Sequence, residues 1–377
     1  MRRFALLLAA ALLASPAAFA QSNDNGATTD FNVGIVGALT GSFASGTKDT
    51  IDGLNAWIKV HGVPGRHIVL TTLDDETNPV NAQNVFRKLA TDPKISIVLM
   101  YSNSNAGLAI KPFASEYKVP IISGGGADTL GVPADPWLFK VAPSTRDNMT
   151  ALVVWAQKAN YKRVAHIYGT DAFGQLEHKN FHDVAPQHGL TITDEESAAT
   201  DDTTFTAQIT KAKASNPDLI YTSLGGRALL IFWKQYHQLG ITIPLAVGAS
   251  GVTQPFFDGI GGAEKADGLF APAQIGTYGD AAGGDTARLV AELRGVVGHA
   301  PSFFNTFGYD SGIIMGAALA HSDGSRQGLR DALEKLHEVP AINGPVNYRP
   351  EDHTGQDYRS ILMGKLKNGV YVPALPN

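Results

Sequence analysis

The chain has 377 residues, of which 17% are charged, and its formal net charge at pH 7 is −5. It contains no cysteine, which excludes disulfides, thiolate catalysis and cysteine-ligated metals, and it has no basic cluster that would favour nucleic acid as a partner. At about 150 residues per domain this length predicts two domains, and its many glycines and prolines are typical of an α/β protein with tight turns.

The first residues, MRRFALLLAAALLASPAAFAQS, have the pattern of a secretory signal peptide. Arg2 and Arg3 precede an apolar run, and Ala18-Phe19-Ala20 forms a small-residue cleavage motif. The apolar run is shorter than the roughly 20 residues that span a bilayer. We therefore expect residues 1–20 to be a cleaved signal peptide and the mature protein to lie in the periplasm.

Strand-like and helix-like segments alternate after this leader. Short apolar runs predict strands, and amphipathic runs with one apolar face predict helices. Strands alternating with helices of this length indicate βαβ units around a parallel sheet. The predicted order is strand 31–39, helix 47–61, strand 67–75, helix 78–90, strand 95–101, a helix from about 106, and strand 119–123.

The same alternation then starts again, which predicts two similar lobes, each a doubly wound parallel sheet with flanking helices. Residues 272–345 are expected to be mainly helical, and residues 360–372 to form a hairpin with Asn368-Gly369 as its turn. The second run consists of a helix around Met149, strand 163–169, helix 173–189, strand 190–196, helix 203–214, strand 218–224, a helix around Phe232, and strand 243–248.

Four small polar residues, Ser102-Asn103-Ser104-Asn105, stand where the third predicted strand gives way to a helix. Ligands of open parallel sheets collect beyond the carboxyl ends of the strands. Helix N-termini at that edge offer free N–H groups and a partial positive charge. The run is therefore a candidate site for an anionic or polar ligand. The alternative is an ordinary helix cap, although a cap needs only one such residue.

Several segments, in order along the chain, resemble periplasmic binding proteins of the leucine/isoleucine/valine type. They are VGIVGALTGSFASGTKDTIDGLNAWI, LTTLDDETNPVNAQNVFRKLATDPKISIVLM, VPIISGGGADTL, VAPSTRDN, VAHIYGTDAFGQ, ITKAKASNPDLIYTSLGG and LKNGVYVP. The resemblance implies a monomeric, two-lobed Venus-flytrap receptor without a cofactor. Such a receptor closes around a small solute and delivers it to the permease pair of an ABC importer.

The resemblance also implies how the chain divides between the lobes. Three strands would form the hinge, crossing near 143–146, 271–275 and 345–349. The N-terminal lobe would comprise 27–143 plus 274–346, and the C-terminal lobe 144–273 plus 347–377.

Individual site residues follow from the resemblance by position. Ser104 matches a serine whose hydroxyl contacts the ligand carboxylate, with Ser102 and Asn103 beside it. Phe43 matches an aromatic residue near the ligand, and Phe173 matches a tyrosine that reaches in from the second lobe. Further positions that the resemblance assigns to the cage are Leu224, Ser250 and Tyr309, of which Tyr309 has the alternative of being a core residue.

Two departures from the family pattern bear on the ligand. Ala127 stands where amino-acid receptors carry a threonine, so a carboxylate would rely on the N–H groups of Gly125, Gly126 or Ala127. Ser250 stands where those receptors place an acid against the ligand ammonium. Burying an ammonium without a counter-charge costs several kcal/mol or more. Either Asp171 or another acid substitutes, or the ligand lacks an α-amino group.

These features favour a small carboxylic acid with an apolar or aromatic body, with a branched-chain amino acid as the alternative. Arg227, at another strand-to-helix junction, is either a bidentate carboxylate clamp or a solvated arginine. A sensor subunit that presents the solute to a membrane signalling receptor is a second alternative, because both roles use lobe closure.

Catalysis and metal binding are not expected. The chain has no G-x-S-x-G nucleophile elbow, and Thr129 stands where a dinucleotide fingerprint requires its last glycine. His178 and His182 are four residues apart on a predicted helix, but the sequence shows no third ligand to complete a metal site.

Overall fold

Two separate β-sheets organise the part of the chain that a computed structural model describes, which is residues 28–374 without Ser42, Thr200, residues 249–251 and Thr253. The signal peptide predicted for residues 1–20 lies outside the described residues. Within those ranges no helix is both long enough and apolar enough to cross a membrane.

The first sheet is entirely parallel, with the strand order β2-β1-β3-β4-β5. It confirms the predicted alternation and adds the three-residue strand β5, which the sequence pattern did not predict. Its elements are β1 (Thr29–Gly37), α1 (Ala44–Val60), β2 (Arg66–Asp74), α2 (Pro79–Thr91), β3 (Ile95–Tyr101), α3 (Ser104–Tyr117), β4 (Ile121–Ser123), α4 (Asp128–Gly131) and β5 (Leu138–Lys140).

The second run of βα units builds a second sheet. Its elements are α5 (Thr145–Lys158), β6 (Arg163–Gly169), α6 (Ala172–Val184), β7 (Thr191–Ala198), α7 (Thr206–Ala214), β8 (Leu219–Thr222), α8 (Gly226–Gln238), β9 (Leu245–Val247), α9 (Gln254–Ile260) and β10 (Phe270–Gln274). The parallel strands follow the order β7-β6-β8-β9-β10, the same winding as in the first sheet. This repetition confirms the prediction of two similar lobes.

The remaining chain contributes helices that pack against the first sheet and strands that join the second. It contains α10 (Gly284–Val297), α11 (Phe303–Ala320), α12 (Arg326–Leu333), β11 (Asn347–Arg349), β12 (Asp352–Gly355), β13 (Ile361–Lys367) and β14 (Val370–Pro373). Strand β13 adds to β10 in antiparallel sense, and β13 and β14 form a hairpin. Its turn at Asn368-Gly369, with φ of 51° and 74°, is the one predicted from the sequence.

Both faces of the first sheet are buried, because alternate residues of each strand enter different cores. Ile35 of β1 packs in a cluster with Leu54 of α1 and residues of α10–α12, whereas the neighbouring Val36 packs with Phe86 of α2. The helices that cover one face of this sheet are therefore supplied by residues about 250 positions later in the chain than β1.

Helices α1 and α11 meet closely through two glycines. A Cβ atom placed on Gly53 would collide with the backbone oxygen of Asn305, and one placed on Gly308 would collide with that of Thr50. Glycine at these two positions lets the helix backbones touch, which fixes α11 against the first sheet.

The short hairpin β11–β12 packs against the edge of the first sheet. The Tyr348 hydroxyl donates to the Lys140 carbonyl at 2.5 Å, and His353 Nδ1 contacts the Leu138 carbonyl at 2.8 Å. The His353 ring also stacks on Phe139, with centroids 4.1 Å apart. Residues 347–355, which the expected division placed in the C-terminal lobe, thus contact β5 before the chain enters the second sheet at Ile361.

Candidate ligand-binding site

The turn between β3 and α3 separates the two roles considered for its polar run. Asn103 is the helix cap, and its Oδ1 accepts from the Ala106 N–H at 2.9 Å. Ser104 begins the helix, and its Oγ accepts from the Ala127 N–H at 3.2 Å. Within the described part of the chain this leaves the Ser104 hydroxyl hydrogen available to donate. Ser102 is buried, with only 4% of its surface exposed.

The glycine-rich loop of residues 125–127 lies directly beside Ser104. The Gly125 N–H donates to Ser123 Oγ at 3.3 Å, and the Ala127 N–H donates to Ser104. Gly126 is exposed, and a Cβ placed on it would meet no atom within 4 Å. Its N–H has no hydrogen-bond partner among the described residues. Of the three amides expected to face a carboxylate, Gly126 is therefore the one that remains free.

A buried lysine underlies this loop. Lys140, the last residue of β5, is fully buried, and its Nζ lies 3.3 Å from the Ala127 carbonyl oxygen and 3.5 Å from that of Gly126. The peptide between Gly126 and Ala127 is trans, so its oxygen points at Lys140 while its N–H points away, at Ser104. The ammonium thereby polarises the peptide whose N–H donates to the Ser104 hydroxyl.

The charge of Lys140 depends on its surroundings. Burial lowers the pKa of the Lys140 ammonium to about 8, and nearby carboxylates oppose that shift. The carboxylates belong to Asp128, Asp147 and Asp352. Because a pKa near 8 is above neutral pH, most of the protein carries this positive charge at pH 7.

Asp128 connects the loop of the first sheet to helices of the second. Its Oδ1 accepts from the Thr145 N–H at the start of α5 at 2.7 Å, and its Oδ2 lies 3.4 Å from Asn180 Nδ2 of α6. Asn180 is buried, with 3% of its surface exposed. Sequence reasoning missed both residues, although Asp128 directly follows the glycine-rich motif.

The predicted aromatic residues of the first lobe are placed differently from one another. Phe43 caps α1 next to the strand ends, where its N–H donates to Thr77 Oγ1 at 3.2 Å and its ring meets Phe304 edge-on at 5.3 Å. Tyr309 is fully buried within α11, and its hydroxyl bonds to Glu292 Oε2 and lies 2.9 Å from His61 Nε2. Phe43 therefore lies beyond the carboxyl end of β1, whereas Tyr309 packs in the core beside the first sheet.

The predicted positions of the second lobe are described only in part. Phe173 is the second residue of α6, which Asp171 caps, and Ser250 lies outside the described residues. Leu224 is 1% exposed and packs in the core of the second sheet. Arg227 is exposed in the first turn of α8.

A buried acid in the second lobe also escaped sequence reasoning. Glu177 follows Phe173 by one helical turn and is 1% exposed, and the Tyr221 hydroxyl donates to its Oε2 at 2.6 Å. Its Oε2 would lie 2.8 Å from a Cβ placed on Gly248, which follows β9. Burial raises the pKa of Glu177 to about 7. A single acid in an amphipathic helix is typical of the exposed face, so the sequence did not predict that Glu177 is buried.

Two sheets whose parallel strands share the same winding, and polar groups gathered at the carboxyl ends of the first, define a two-lobed α/β binding protein. The chain belongs to the periplasmic binding protein family, whose model matches residues 30–369. This agrees with the family resemblance found in the sequence.

Individual relatives extend the comparison. The chain is 24% identical over 294 residues to Leu/Ile/Val-binding protein homolog 3 of Brucella melitensis, covering 73% of this chain and 75% of that protein. Among solved structures, it is similar to an ABC transporter substrate-binding protein from Sphaerobacter thermophilus, with a TM-score of 0.77, 20% identity, and coverage of 92% and 97%. It is also similar to a leucine-binding protein from Thermotoga maritima, with a TM-score of 0.73, 20% identity, and coverage of 91% of this chain and 97% of that chain.

Proposed function

We propose that the protein is the periplasmic receptor of an ABC importer of the branched-chain amino acid transporter type, and that it binds a small carboxylate-bearing solute. The observation that carries this proposal is the arrangement of Ser104 and the Gly126 and Ala127 peptide over the buried Lys140 ammonium. The names of the relatives support the transport role. The protein would act as a monomer, without a cofactor and without catalysis, after removal of residues 1–20.

In this proposal the ligand carboxylate accepts from the Ser104 hydroxyl and from the free Gly126 N–H. Lys140 does not touch the ligand, because the Gly126 and Ala127 carbonyls lie between them. It stabilises the anion through the polarised peptide, at a position where its own charge stays out of water. Phe43 would form an apolar wall beside the ligand body.

Lobe closure would complete the site. We place residues 28–142 and 275–355 in the first lobe, and residues 144–274 and 361–374 in the second. The contacts of Asp128 with Thr145 and Asn180 join the two lobes beside the loop and support closure there. Closure excludes water and strengthens the polar contacts with the ligand. The closed state is stabilised only by contacts that the ligand makes in that state.

The ligand class rests on the second lobe. With Ser250 in the place of the family acid, the first choice is an aliphatic or aromatic acid without an α-amino group. The buried carboxyl of Glu177 favours a second candidate, a branched-chain amino acid whose ammonium would use this acid in place of Ser250. Arg227, exposed on α8, stays a candidate carboxylate clamp in either case.

The test is a binding panel on the mature protein. Leucine, valine and phenylalanine are compared with their keto acids and with benzoate, by thermal shift and then by calorimetry. A ligand at about a thousand times its dissociation constant adds roughly 4 kcal/mol to native stability. Preference for the acids without an amino group supports the first candidate, and preference for the amino acids supports the second. If none of these carboxylates binds, the proposed ligand class is wrong.

Ser104→Ala examines the site itself. The variant leaves a ligand oxygen without its donor, so we expect binding to weaken by roughly 1–3 kcal/mol. Ser197→Ala, at an exposed serine of β7, is the matched control and should bind as the parent protein does. Equal affinity of the two variants in calorimetry would remove Ser104 from the site.

A further inference from the structure

Four potential metal ligands converge between α6 and one edge of the second sheet. His166 of β6 and Glu195 of β7 are direct partners in the parallel register, so their side chains lie on the same face. His178 and His182 stand one turn apart on α6, which lies over that face. Three elements from different parts of the sequence therefore supply this group.

The distances suit coordination by a transition-metal ion. His178 Nδ1 lies 3.4 Å from Glu195 Oε1, and His182 Nδ1 lies 3.3 Å from the same carboxylate. Ligand atoms of a tetrahedral zinc ion are separated by about 3.4 Å. One ligand atom from each of His166, His178 and Glu195 lies within 4.8 Å of the others, so His166 needs only a small side-chain movement to join.

Two histidine nitrogens point to an occupant. Among the described residues, His166 Nδ1 and His178 Nδ1 are both buried without a hydrogen-bond partner. His166 is fully buried, so water cannot serve as the partner of its Nδ1. Buried polar atoms of native proteins normally have partners. A bound cation would satisfy both nitrogens at once.

We propose that His166, His178, His182 and Glu195 form a binding site for a divalent transition-metal ion of the zinc type. Imidazole nitrogens with one carboxylate are ligands that zinc accepts, whereas calcium and magnesium prefer oxygen. His182, 62% exposed at its side chain, leaves the site open to solvent for metal entry. A bound ion clamps α6 to β6 and β7.

The test uses metal ions alone, so it does not depend on the identity of the solute. The protein is prepared without a histidine tag, stripped with EDTA, and titrated with Zn²⁺ in a calorimeter. We expect one ion per chain and a higher melting temperature. Substitution with Co²⁺ should give the intense visible absorption of a tetrahedral nitrogen–oxygen site.

Variants connect the metal to these residues. His182→Ala and Glu195→Gln should each weaken Zn²⁺ binding by about tenfold or more, and both positions are exposed enough to leave the fold intact. The matched control is His67→Ala, because His67 forms an exposed pair with Asp30 on neighbouring strands without a second histidine. No uptake by the stripped parent protein, or equal Zn²⁺ affinity in all three variants, would overturn the proposal.

Discussion

Replacing Lys140 with methionine tests the electrostatics of the proposed carboxylate site. Methionine keeps most of the length and the apolar body of the side chain, and it removes the ammonium together with its contacts to the Gly126 and Ala127 carbonyls. A carboxylate bonded beyond the Gly126 and Ala127 peptide would lie roughly 9 Å from Nζ, where two unit charges interact by about 2 kcal/mol at an effective dielectric constant near 20. Lys140→Met should therefore weaken ligand binding by roughly thirtyfold at pH 7.

The pH dependence gives a second, independent signature. Because burial lowers the pKa of Lys140 to about 8 in the folded protein, the ammonium loses its charge as the pH rises above that value. Ligand affinity of the parent protein should accordingly fall from about pH 8 upward, while that of Lys140→Met stays low and flat. The same lowered pKa means that the unfolded state binds more protons between pH 8 and 10.5, so folding stability rises across that window.

Calorimetry between pH 6.5 and 9.5, with the carboxylate that binds best, measures both effects. Lys179→Met, which removes an exposed lysine paired with Asp183 on α6, controls for the loss of one positive charge. Urea unfolding at pH 7 checks that Lys140→Met is folded, so that a lower affinity reports on the site. Equal ligand affinity of parent and Lys140→Met, or a parent affinity that rises with pH, would refute this reasoning.

Two further predictions concern stability. Because the pKa of Glu177 is raised to about 7, the folded state binds one more proton than the unfolded state between about pH 4.5 and 7. The free energy of unfolding of the parent protein should therefore fall by roughly 3 kcal/mol as the pH rises through that range, and Glu177→Gln should abolish this fall. Identical curves of stability against pH for the two proteins in urea unfolding would contradict this prediction. Gly308→Ala should destabilise by about 2 kcal/mol or more through collision with Thr50, whereas Gly295→Ala, with open space around it, should be neutral or stabilising in the same melts.

Hydrophobic periodicity was sufficient to predict both sheets, most helices and the terminal hairpin. These features depend on residues close together in sequence, such as the turn at Asn368-Gly369. The strands β5 and β10 and the hairpin β11–β12 were not predicted, because the partners that hold them in place lie far away in the sequence. Likewise, Lys140 is a single lysine that local pattern assigns to the surface, and only the packed β11–β12 hairpin and the glycine-rich loop bury it.

The candidate site divides in the same way. Ser104 and the glycine-rich loop could be found from sequence, because each follows a predicted strand. The connection between Ser104 and Ala127, by contrast, depends on the order of strands in the sheet. For Tyr309 the sequence left two alternatives, a site residue or a core residue, and its buried hydroxyl contacts His61 and Glu292. The sequence shows no third ligand beside His178 and His182, because only the packing of α6 on β6 and β7 places Glu195 next to them.

The contribution of late residues to the first sheet bears on when this chain can fold. Leu289, Phe307 and Leu329 of α10–α12 cover one face of that sheet, and residues 347–355 cover its edge. A nascent chain that ends before these residues exposes an apolar sheet face and cannot complete its first core. The native contacts of the first lobe can thus form completely only when nearly the whole polypeptide has been made.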